Sequence, residues 1–185
     1  MSHPSFDADV RRVAHAMADA ARAAILPYFR DKSLTTDNTL EGGFDPVTQA
    51  DRAAEQAMRA ILKAERPEDG ILGEEFGAER GTSGLTWVLD PIDGTRGFVS
   101  GTPTWGVLIA LSDEQGPFYG IIDQPYIGER FEGAPDCATC HGPQGHVDLH
   151  TRPTMDLADA IVFTTFPEVG SERDREGFAA VAEQA

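Results

Sequence analysis

Two aspartates three residues apart, Asp90 and Asp93, are the most informative chemical feature of this sequence. They follow the apolar run Trp87–Leu89, which predicts a buried strand, and Pro91 cannot continue the hydrogen-bond ladder of a strand. A turn at this point would aim both carboxylates at one position and would free the backbone carbonyl of Ile92. Because Mg²⁺ prefers oxygen ligands that it shares with phosphate and water, we predict that these three groups bind magnesium.

Gly94 and Thr95 complete this segment and predict a contact with phosphate. Gly94 has no side chain, so a phosphate group can approach the backbone closely. The two amide groups would open a short helix predicted over residues 95–100, and anions bind well at helix starts. The hydroxyl group of Thr95 would hold and orient a water molecule. Together with the two aspartates, these residues predict metal-assisted phosphate-ester chemistry.

Glu74 and Asp51 are two further acids at the predicted boundaries of other elements. Glu74 follows a short strand predicted at residues 71–72, and Asp51 falls in the first turn of a predicted helix, where the helix dipole favours a carboxylate. Glu74 could bridge to a second cation or accept the proton of an attacking water. Two cations about 3.5–4 Å apart stabilise both the entering and the leaving oxygen of an in-line displacement. Taken singly, each acid is more commonly a solvated surface group, so the prediction depends on all three segments meeting.

The spacing of the aspartates argues against a covalent aspartyl-phosphate intermediate. Phosphatases of the haloacid-dehalogenase type use Asp-x-Asp-Gly-Thr, in which the first aspartate is the nucleophile. The residue two positions before Asp93 is Pro91. The sequence therefore favours attack by a metal-activated water.

The elements that position these residues are predicted from hydrophobic periodicity. The predicted helices span about residues 7–30, 48–65 and 172–185; the predicted strands span about 71–72, 87–89, 105–111, 118–122, 130–132 and 160–165; the predicted loops include 77–84, 137–141 and 31–44, the last of which could be a loosely held hairpin. Pro27 is expected to kink or end the first helix, and Thr48 with Asp51 has capping-box spacing at the start of the second. Helices that precede a mainly antiparallel sheet predict a layered α+β fold.

The composition is that of an acidic globular protein. The 185 residues include 31 acidic and 15 basic side chains, which gives a formal net charge of −16 at pH 7. Such a surface repels the phosphates of nucleic acids, and a phosphate ester bound here would need cations to offset the same repulsion. No apolar run is long enough to span a bilayer, and the N-terminus lacks the apolar region of a signal peptide. We therefore expect no nucleic-acid or membrane partner and a cytoplasmic location.

The two cysteines lie in the motif C-A-T-C-H at residues 137–141. This is formally the attachment pattern of c-type haem, but an export signal and a second axial ligand are not evident. A zinc site is the other alternative, with ligands drawn from Cys137, Cys140, His146 and His150. We favour the simpler interpretation of two reduced thiols in a surface loop.

The motifs resemble those of the inositol-monophosphatase superfamily of magnesium-dependent phosphomonoesterases. The matching segments are D-P-V-T-Q-A-D at residues 45–51, G-E-E at 73–75 and W-V-L-D-P-I-D-G-T at 87–95. The resemblance implies roughly two or three Mg²⁺ ions and a small phosphate ester as substrate. It implies metal binding by Glu74, Asp90, the Ile92 carbonyl and Asp93; water activation by Glu74 and Thr95; support of a weaker metal position by Asp51; and substrate contacts by Asp93, Gly94, Thr95 and Arg96.

Within that superfamily, the local sequence resembles the histidinol-phosphatase branch. Residues 94–101, 105–111 and 122–130 carry this resemblance; inositol monophosphatases usually show Thr-Asn-Phe after the Asp-Gly, where this chain has T-R-G-F at residues 95–98. The resemblance implies hydrolysis of histidinol phosphate to histidinol in histidine biosynthesis, a layered α-β-α-β-α sandwich, and compatibility with a homodimer. Hydrolysis of inositol or another sugar monophosphate, and a catalytically inactive truncated domain, stay open as alternatives.

Two departures from the family pattern bear on the predicted site. Thr39 stands where family members usually carry a lysine, which removes a cation from the pocket. The later Trp-Asp motif of the family, whose aspartate binds metal and substrate, does not occur before Ala185. We therefore expect a metal- and phosphate-binding part at residues 1–150 and the start of a truncated C-terminal α/β part at residues 151–185. The second α/β layer would be incomplete and would expose the apolar run at residues 161–163.

Overall fold

The structure is a computed structural model of the chain and describes residues 6–31, 36–38, 46–164 and 170–185. The chain divides into two compact units, residues 1–149 and residues 150–185. Among the described residues, two long helices and the strands lie in the first unit, and the second contains a short 3-10 helix, Leu157–Asp159, and one α-helix.

Helix α1 spans Ala8–Ile25 and forms one side of the core. It begins where the Asp7 carboxylate accepts hydrogen bonds of 2.9 Å from two backbone amides of the first turn. The α-helix ends earlier than the predicted residue 30, and a 3-10 turn, Leu26–Tyr28, follows. Pro27 explains the change, because it has no N–H to donate to the preceding turn.

Helix α2 spans Gln49–Glu65, close to its predicted bounds, and packs against α1. Of the residues predicted to be buried, Ala54, Met58 and Leu62 are buried, whereas Ala57 and Ile61 are half-buried. The same helix also buries three charged side chains, Asp51, Glu55 and Arg59. The predicted capping contact of Thr48 lies outside the described side chains.

The strands form two sheets. A small antiparallel pair joins β1 (Thr36–Asn38) to β2 (Pro46–Thr48). The large sheet contains β3 (Gly70–Gly73), β4 (Gly77–Glu79), β5 (Thr86–Asp93), β6 (Gly106–Asp113), β7 (Gly116–Gln124), β8 (Glu129–Ala134), β9 (Cys137–Gly142) and β10 (Gly145–Asp148). Their spatial order is β10-β9-β8-β7-β6-β5-β3-β4, and neighbouring strands are antiparallel except β3 with β5.

One face of the large sheet forms the hydrophobic core with α1 and α2. Its largest buried side chains include Trp87, Leu89, Ile109, Leu111 and Ile121. The indole N–H of Trp87 donates to the Asp69 carboxylate at 2.9 Å, and Asp69 also accepts a hydrogen bond of 2.8 Å from Arg66, so both of these buried side chains have hydrogen-bond partners. A mixed sheet with helices against it confirms the predicted α+β class, and the five-layered order stays a prediction.

Two short helices lie where the sequence places them. Helix α3 spans Thr95–Val99, directly after β5. Helix α4 spans Glu172–Ala182 in the second unit and begins with a capping box formed by Ser171 and Asp174. No described helix combines the length and the apolar character that crossing a membrane requires.

Three segments have a secondary structure other than the predicted one. Residues 77–79, predicted as loop, form the exposed edge strand β4, and residues 137–141, also predicted as loop, belong to the hairpin β9–β10. Both segments are rich in small or polar residues, so no apolar alternation marks them; pairing with the neighbouring strand holds them instead. Residues 160–164, predicted as a strand from their apolar side chains, have no regular structure, and residue 165 lies outside the described residues.

Candidate active site

An irregularity in β5 turns Asp90 and Asp93 toward the same face of the sheet. Asp90 pairs with Leu108, and the next pair joins Asp93 to Gly106, so β5 advances by three residues while β6 advances by two. Register partners in neighbouring strands point to the same face of a sheet, and Leu108 and Gly106, two residues apart on β6, also share one face. Asp90 and Asp93 therefore point to the same face as each other. The strand was predicted to end before Pro91, but it continues through this bulge to Asp93.

Glu74 lies beside Asp90 because β3 runs parallel to β5. Gly73 is the register partner of Leu89, and the amide of Glu74 donates to the Leu89 carbonyl at 3.2 Å. The next position on each chain is therefore Glu74 on one side and Asp90 on the other. The structure thus brings together two of the three segments that the sequence predicts to meet.

Asp90 is the electrostatic centre of the site. Its side chain is half-buried, and its Oδ1 atom is buried without a hydrogen-bond partner among the described residues. Burial raises the pKa of Asp90 from 3.8 to about 8, together with the charge and the hydrogen bond of Glu74. The charges of Asp93 and Asp51 raise this pKa further. All three acidic segments therefore lie within electrostatic range of Asp90.

Glu75, for which the sequence predicts no role, extends the negative potential. Burial raises its pKa to about 7, and the charges of Asp51 and Glu74 act in the same direction. Arg52 lies 3.7 Å from the carboxylate and opposes the shift. Two neighbouring acids with raised pKa values mark a place where a bound cation would be strongly favourable.

The fully buried carboxylate of Glu55 fixes the turn that carries Glu74. It accepts hydrogen bonds from the amides of Glu75 at 2.7 Å and Phe76 at 3.3 Å, and from Arg59 Nε at 2.7 Å. A Cβ atom on Gly73 would lie 1.8 Å from Glu55 Oε1, so only glycine fits beside this carboxylate. Glu55 therefore positions the acidic turn from inside the protein.

Sequence reasoning missed Glu55, although a signal was present. Asp51, Glu55 and Arg59 recur every four residues on α2, so they lie on one stripe of the helix. That stripe borders the apolar positions Ala54 and Met58, which predict burial. A carboxylate and a guanidinium one turn apart on a buried face indicate an internal ion pair with a positioning role.

Gly94 and Thr95 form the turn after β5. Gly94 has a φ of 86°, and a Cβ atom there would lie 2.7 Å from the Thr104 carbonyl oxygen, so a side chain is excluded on both grounds. The Thr95 hydroxyl donates to the Ile92 carbonyl at 3.0 Å. Two of the predicted groups, one proposed for metal and one for water, therefore contact each other. Arg96 is exposed on α3, and its role in substrate binding stays a prediction.

The acidic side chains interact without forming a finished coordination sphere. Within the described ranges, no group of three or more His, Cys, Asp or Glu side chains has the arrangement of a metal site. Electrostatic coupling reaches further than a coordination bond, so this finding is compatible with the raised pKa of Asp90. The oxygen donor set and the unpartnered Oδ1 atom of Asp90 fit a hard divalent cation such as Mg²⁺.

The structure excludes joint metal or haem ligation by the two cysteines. Both thiols are free and half-buried in β9, not in a loop. Cys137 and Cys140 are three positions apart in a regular strand, so their side chains point to opposite faces.

Thr39, which stands where the family usually has a lysine, lies outside the described residues.

We expect Asp90→Asn to raise the unfolding temperature of the metal-free protein by a few degrees. An acid whose pKa is raised on folding holds its proton more tightly in the folded state, so its ionisation opposes folding. The wild type therefore loses stability relative to the variant as the pH rises from 3.8 to about 8. Thermal unfolding in a chelator, below and above this window, measures the difference. Glu114→Gln, in an exposed turn, is the matched control, and a difference that does not grow with pH would contradict the expectation.

A family model described as the inositol monophosphatase family matches residues 7–184. Among curated proteins, the bifunctional phosphatase IMPL2 of Arabidopsis thaliana is 37% identical over 93% of this chain and 49% of its own length. A histidinol-phosphatase of Streptomyces coelicolor is 39% identical over 82% of this chain and 58% of its own. An inositol-1-monophosphatase of Rhizobium meliloti is 41% identical over 71% of this chain and 49% of its own.

A solved structure with the same fold is that of an inositol monophosphatase from Zymomonas mobilis. It is 43% identical with a TM-score of 0.80, and the match covers 97% of this chain and 68% of that one. The chain thus spans about half the length of the curated relatives that it matches.

Proposed function

This chain belongs to the inositol monophosphatase family, and on that basis we propose that it hydrolyses a small phosphate monoester with the help of magnesium. The observation that carries the proposal is the half-buried Asp90. Its Oδ1 atom has no hydrogen-bond partner among the described residues, and burial, Glu74 and Asp93 raise its pKa. A bound cation would favour the ionised form of this carboxyl group and offset its acidic neighbours, and phosphate-ester hydrolysis is chemistry that a cation on oxygen ligands supports.

We assign the groups of the site as follows. Glu74, Asp90, Asp93 and the Ile92 carbonyl would hold magnesium, with Asp51 at a weaker position. The bound metal would polarise the phosphate and lower the pKa of a water molecule. Glu74 would accept the proton of that water, and the Thr95 hydroxyl would orient it. The open backbone at Gly94 would let the phosphate approach, and Asp93 would also contact the substrate.

We further propose histidinol phosphate as the substrate, with Arg96 as a contact to it. Histidinol-phosphatases of Streptomyces coelicolor and Mycobacterium tuberculosis are 39% and 42% identical to this chain over the matched residues. The resemblance of residues 94–101 to the histidinol-phosphatase branch supports the same substrate. Inositol monophosphate is the second candidate, because the inositol-1-monophosphatase of Rhizobium meliloti is 41% identical. The proposed enzyme would act in the cytoplasm in histidine biosynthesis, alone or as a homodimer.

Release of inorganic phosphate from the two esters tests the proposal. We expect magnesium-dependent release, with a kcat/KM for histidinol phosphate about tenfold or more above that for inositol monophosphate, a ratio that a few pocket contacts can produce. A chelator is the control for metal dependence. A higher kcat/KM for inositol monophosphate would transfer the proposal to the second substrate. Release from neither ester by a chain that unfolds cooperatively would contradict hydrolysis and indicate an inactive domain.

A further inference from the structure

Two histidines face each other across the hairpin β9–β10, far along the sheet from the strands that carry the acidic site. His141 and His146 are direct register partners in the two strands. Nε2 of His141 lies 2.9 Å from Nδ1 of His146, and the two ring centroids are 4.3 Å apart. Both side chains are exposed, so solvent and ions can reach them. The proposed hydrolysis gives neither histidine a role.

Asp148 contacts the outer ring nitrogen of His146. Its Oδ1 atom lies 3.1 Å from Nε2 of His146, two residues earlier on the same face of β10. A carboxylate at that nitrogen favours the tautomer with the proton on Nε2, which leaves the Nδ1 lone pair of His146 directed at His141. Metal-binding histidines commonly donate their other N–H to a carboxylate in this way.

We propose that His141 and His146 bind one divalent transition-metal ion, of which Zn²⁺ is the representative, through Nε2 and Nδ1 respectively. Zinc–nitrogen bonds of about 2.0–2.1 Å in a tetrahedral site place two ligand nitrogens about 3.3 Å apart. The 2.9 Å contact in the structure is a hydrogen bond between the two rings. Zinc binding therefore requires that His141 carry its proton on Nδ1 and that the two exposed rings turn apart until both lone pairs point at the ion. Since no group of three such side chains forms a site in the described ranges, water completes the coordination.

The charges around the pair permit a cation. Arg130 of β8 is the register partner of His141, but its guanidinium is paired with Asp123 at 2.8 Å and Asp19 at 2.7 Å. Its positive charge is therefore offset locally, and the net charge of −16 favours cations over the whole surface. Imidazole ligands select zinc, copper or nickel, whereas the carboxylates around Asp90 select magnesium, so the two sites differ in the metal that they prefer.

Such an ion would join the two outermost strands at one end of the large sheet. β10 is the edge strand there, and it is held by its pairing with β9 alone among the described strands. A metal bond between directly opposed residues would stabilise this hairpin. The inference is independent of the proposed hydrolysis, since it involves other residues and another class of metal.

Calorimetric titration with zinc, on the full chain kept in excess Mg²⁺, tests the site. We expect one saturable zinc site in the wild type that is lost in His141→Ala and in His146→Ala. Asp148→Asn is expected to weaken the site by about tenfold, the usual effect of removing a carboxylate behind a ligating histidine. His150→Ala and Cys140→Ser are matched controls that keep full zinc binding, since Cys140 lies on the opposite face of β9 from His141.

Several outcomes would overturn the inference. They are the absence of a saturable site in the wild type, retention of the site in His146→Ala, or its loss in either control variant. The same titration on Asp90→Asn tests whether zinc binds at the acidic site instead. Loss of zinc binding in that variant, with binding retained in both histidine variants, would place the zinc ion beside Asp90. The unfolding temperatures of the histidine variants and the wild type are compared without zinc. If they are equal, a loss of zinc binding comes from the loss of a ligand and not from misfolding.

Discussion

Replacement of Asp93 by asparagine is expected to lower magnesium-dependent phosphate release by about 100-fold or more, the scale of removing one group that stabilises charge in a transition state. Asparagine keeps the size of the side chain but removes the negative charge that would balance the metal. Asp93 is exposed and ends β5, so the fold has little need of its carboxylate. Release of phosphate at saturating substrate, over a range of Mg²⁺ concentrations, measures the effect.

A matched control for Asp93→Asn is Asp136→Asn. Asp136 is also an exposed aspartate at a strand end, in the turn between β8 and β9, away from the acidic site. We expect the control to keep the wild-type rate and the wild-type unfolding temperature in a chelator. Asp93→Asn should unfold at the wild-type temperature or above it in the chelator, because it removes a charge that repels ionised Asp90. Full activity in Asp93→Asn would contradict the assignment of this carboxylate to the metal.

Glu55→Ala is expected to lower the free energy of unfolding by about 3–5 kcal/mol, the usual cost of removing one partner of a buried ion pair. The substitution leaves Arg59, which is 5% exposed, without its internal carboxylate. It also removes the acceptor of the Glu75 and Phe76 amides, so the turn that carries Glu74 loses its anchor. Urea unfolding followed by circular dichroism measures the loss, and a coupled loss of magnesium binding is expected.

A double variant separates the cost of leaving Arg59 unpaired from the cost of the cavity that Glu55→Ala creates. In Glu55→Ala with Arg59→Met, no charge stays buried and unpaired, so we expect the double variant to be more stable than Glu55→Ala alone. Glu114→Ala, in an exposed turn, should change the free energy of unfolding by less than about 0.5 kcal/mol. If Glu55→Ala were as mild as Glu114→Ala, the positioning role of Glu55 would be wrong.

Helical periodicity in the sequence predicted the two long helices because each buries one continuous stripe. Met17 and Ala21 of α1, and Met58 and Leu62 of α2, fall at the spacing that the core requires. The edge strand β4 and the hairpin β9–β10 could not be predicted in this way. Their small and polar side chains carry no alternation, and backbone pairing with a neighbouring strand holds them. Conversely, apolar character alone predicted a strand at residues 160–164 that does not form.

The candidate site shows the same division between residue type and geometry. The types and order of Asp51, Glu74, Asp90 and Asp93 were readable as an acidic cluster. Their meeting depends on the parallel register of β3 and β5 and on the bulge at Pro91, which turns two aspartates three residues apart to one face. Neither the strand register nor the bulge can be predicted from the spacing of the acidic residues. Glu55 was missed because an acidic residue on a helix is usually solvated, and only its four-residue spacing to Arg59 indicates otherwise.

The central claim is that carboxylates from α2, from the turn after β3 and from β5 together bind magnesium around Asp90. Isothermal titration of Mg²⁺ into the wild type and into Asp90→Asn tests this claim most directly, because it needs neither a substrate nor turnover. We predict a saturable heat of binding and a higher unfolding temperature with Mg²⁺ for the wild type, and neither for a folded Asp90→Asn. Equal magnesium binding by the two proteins would contradict the claim.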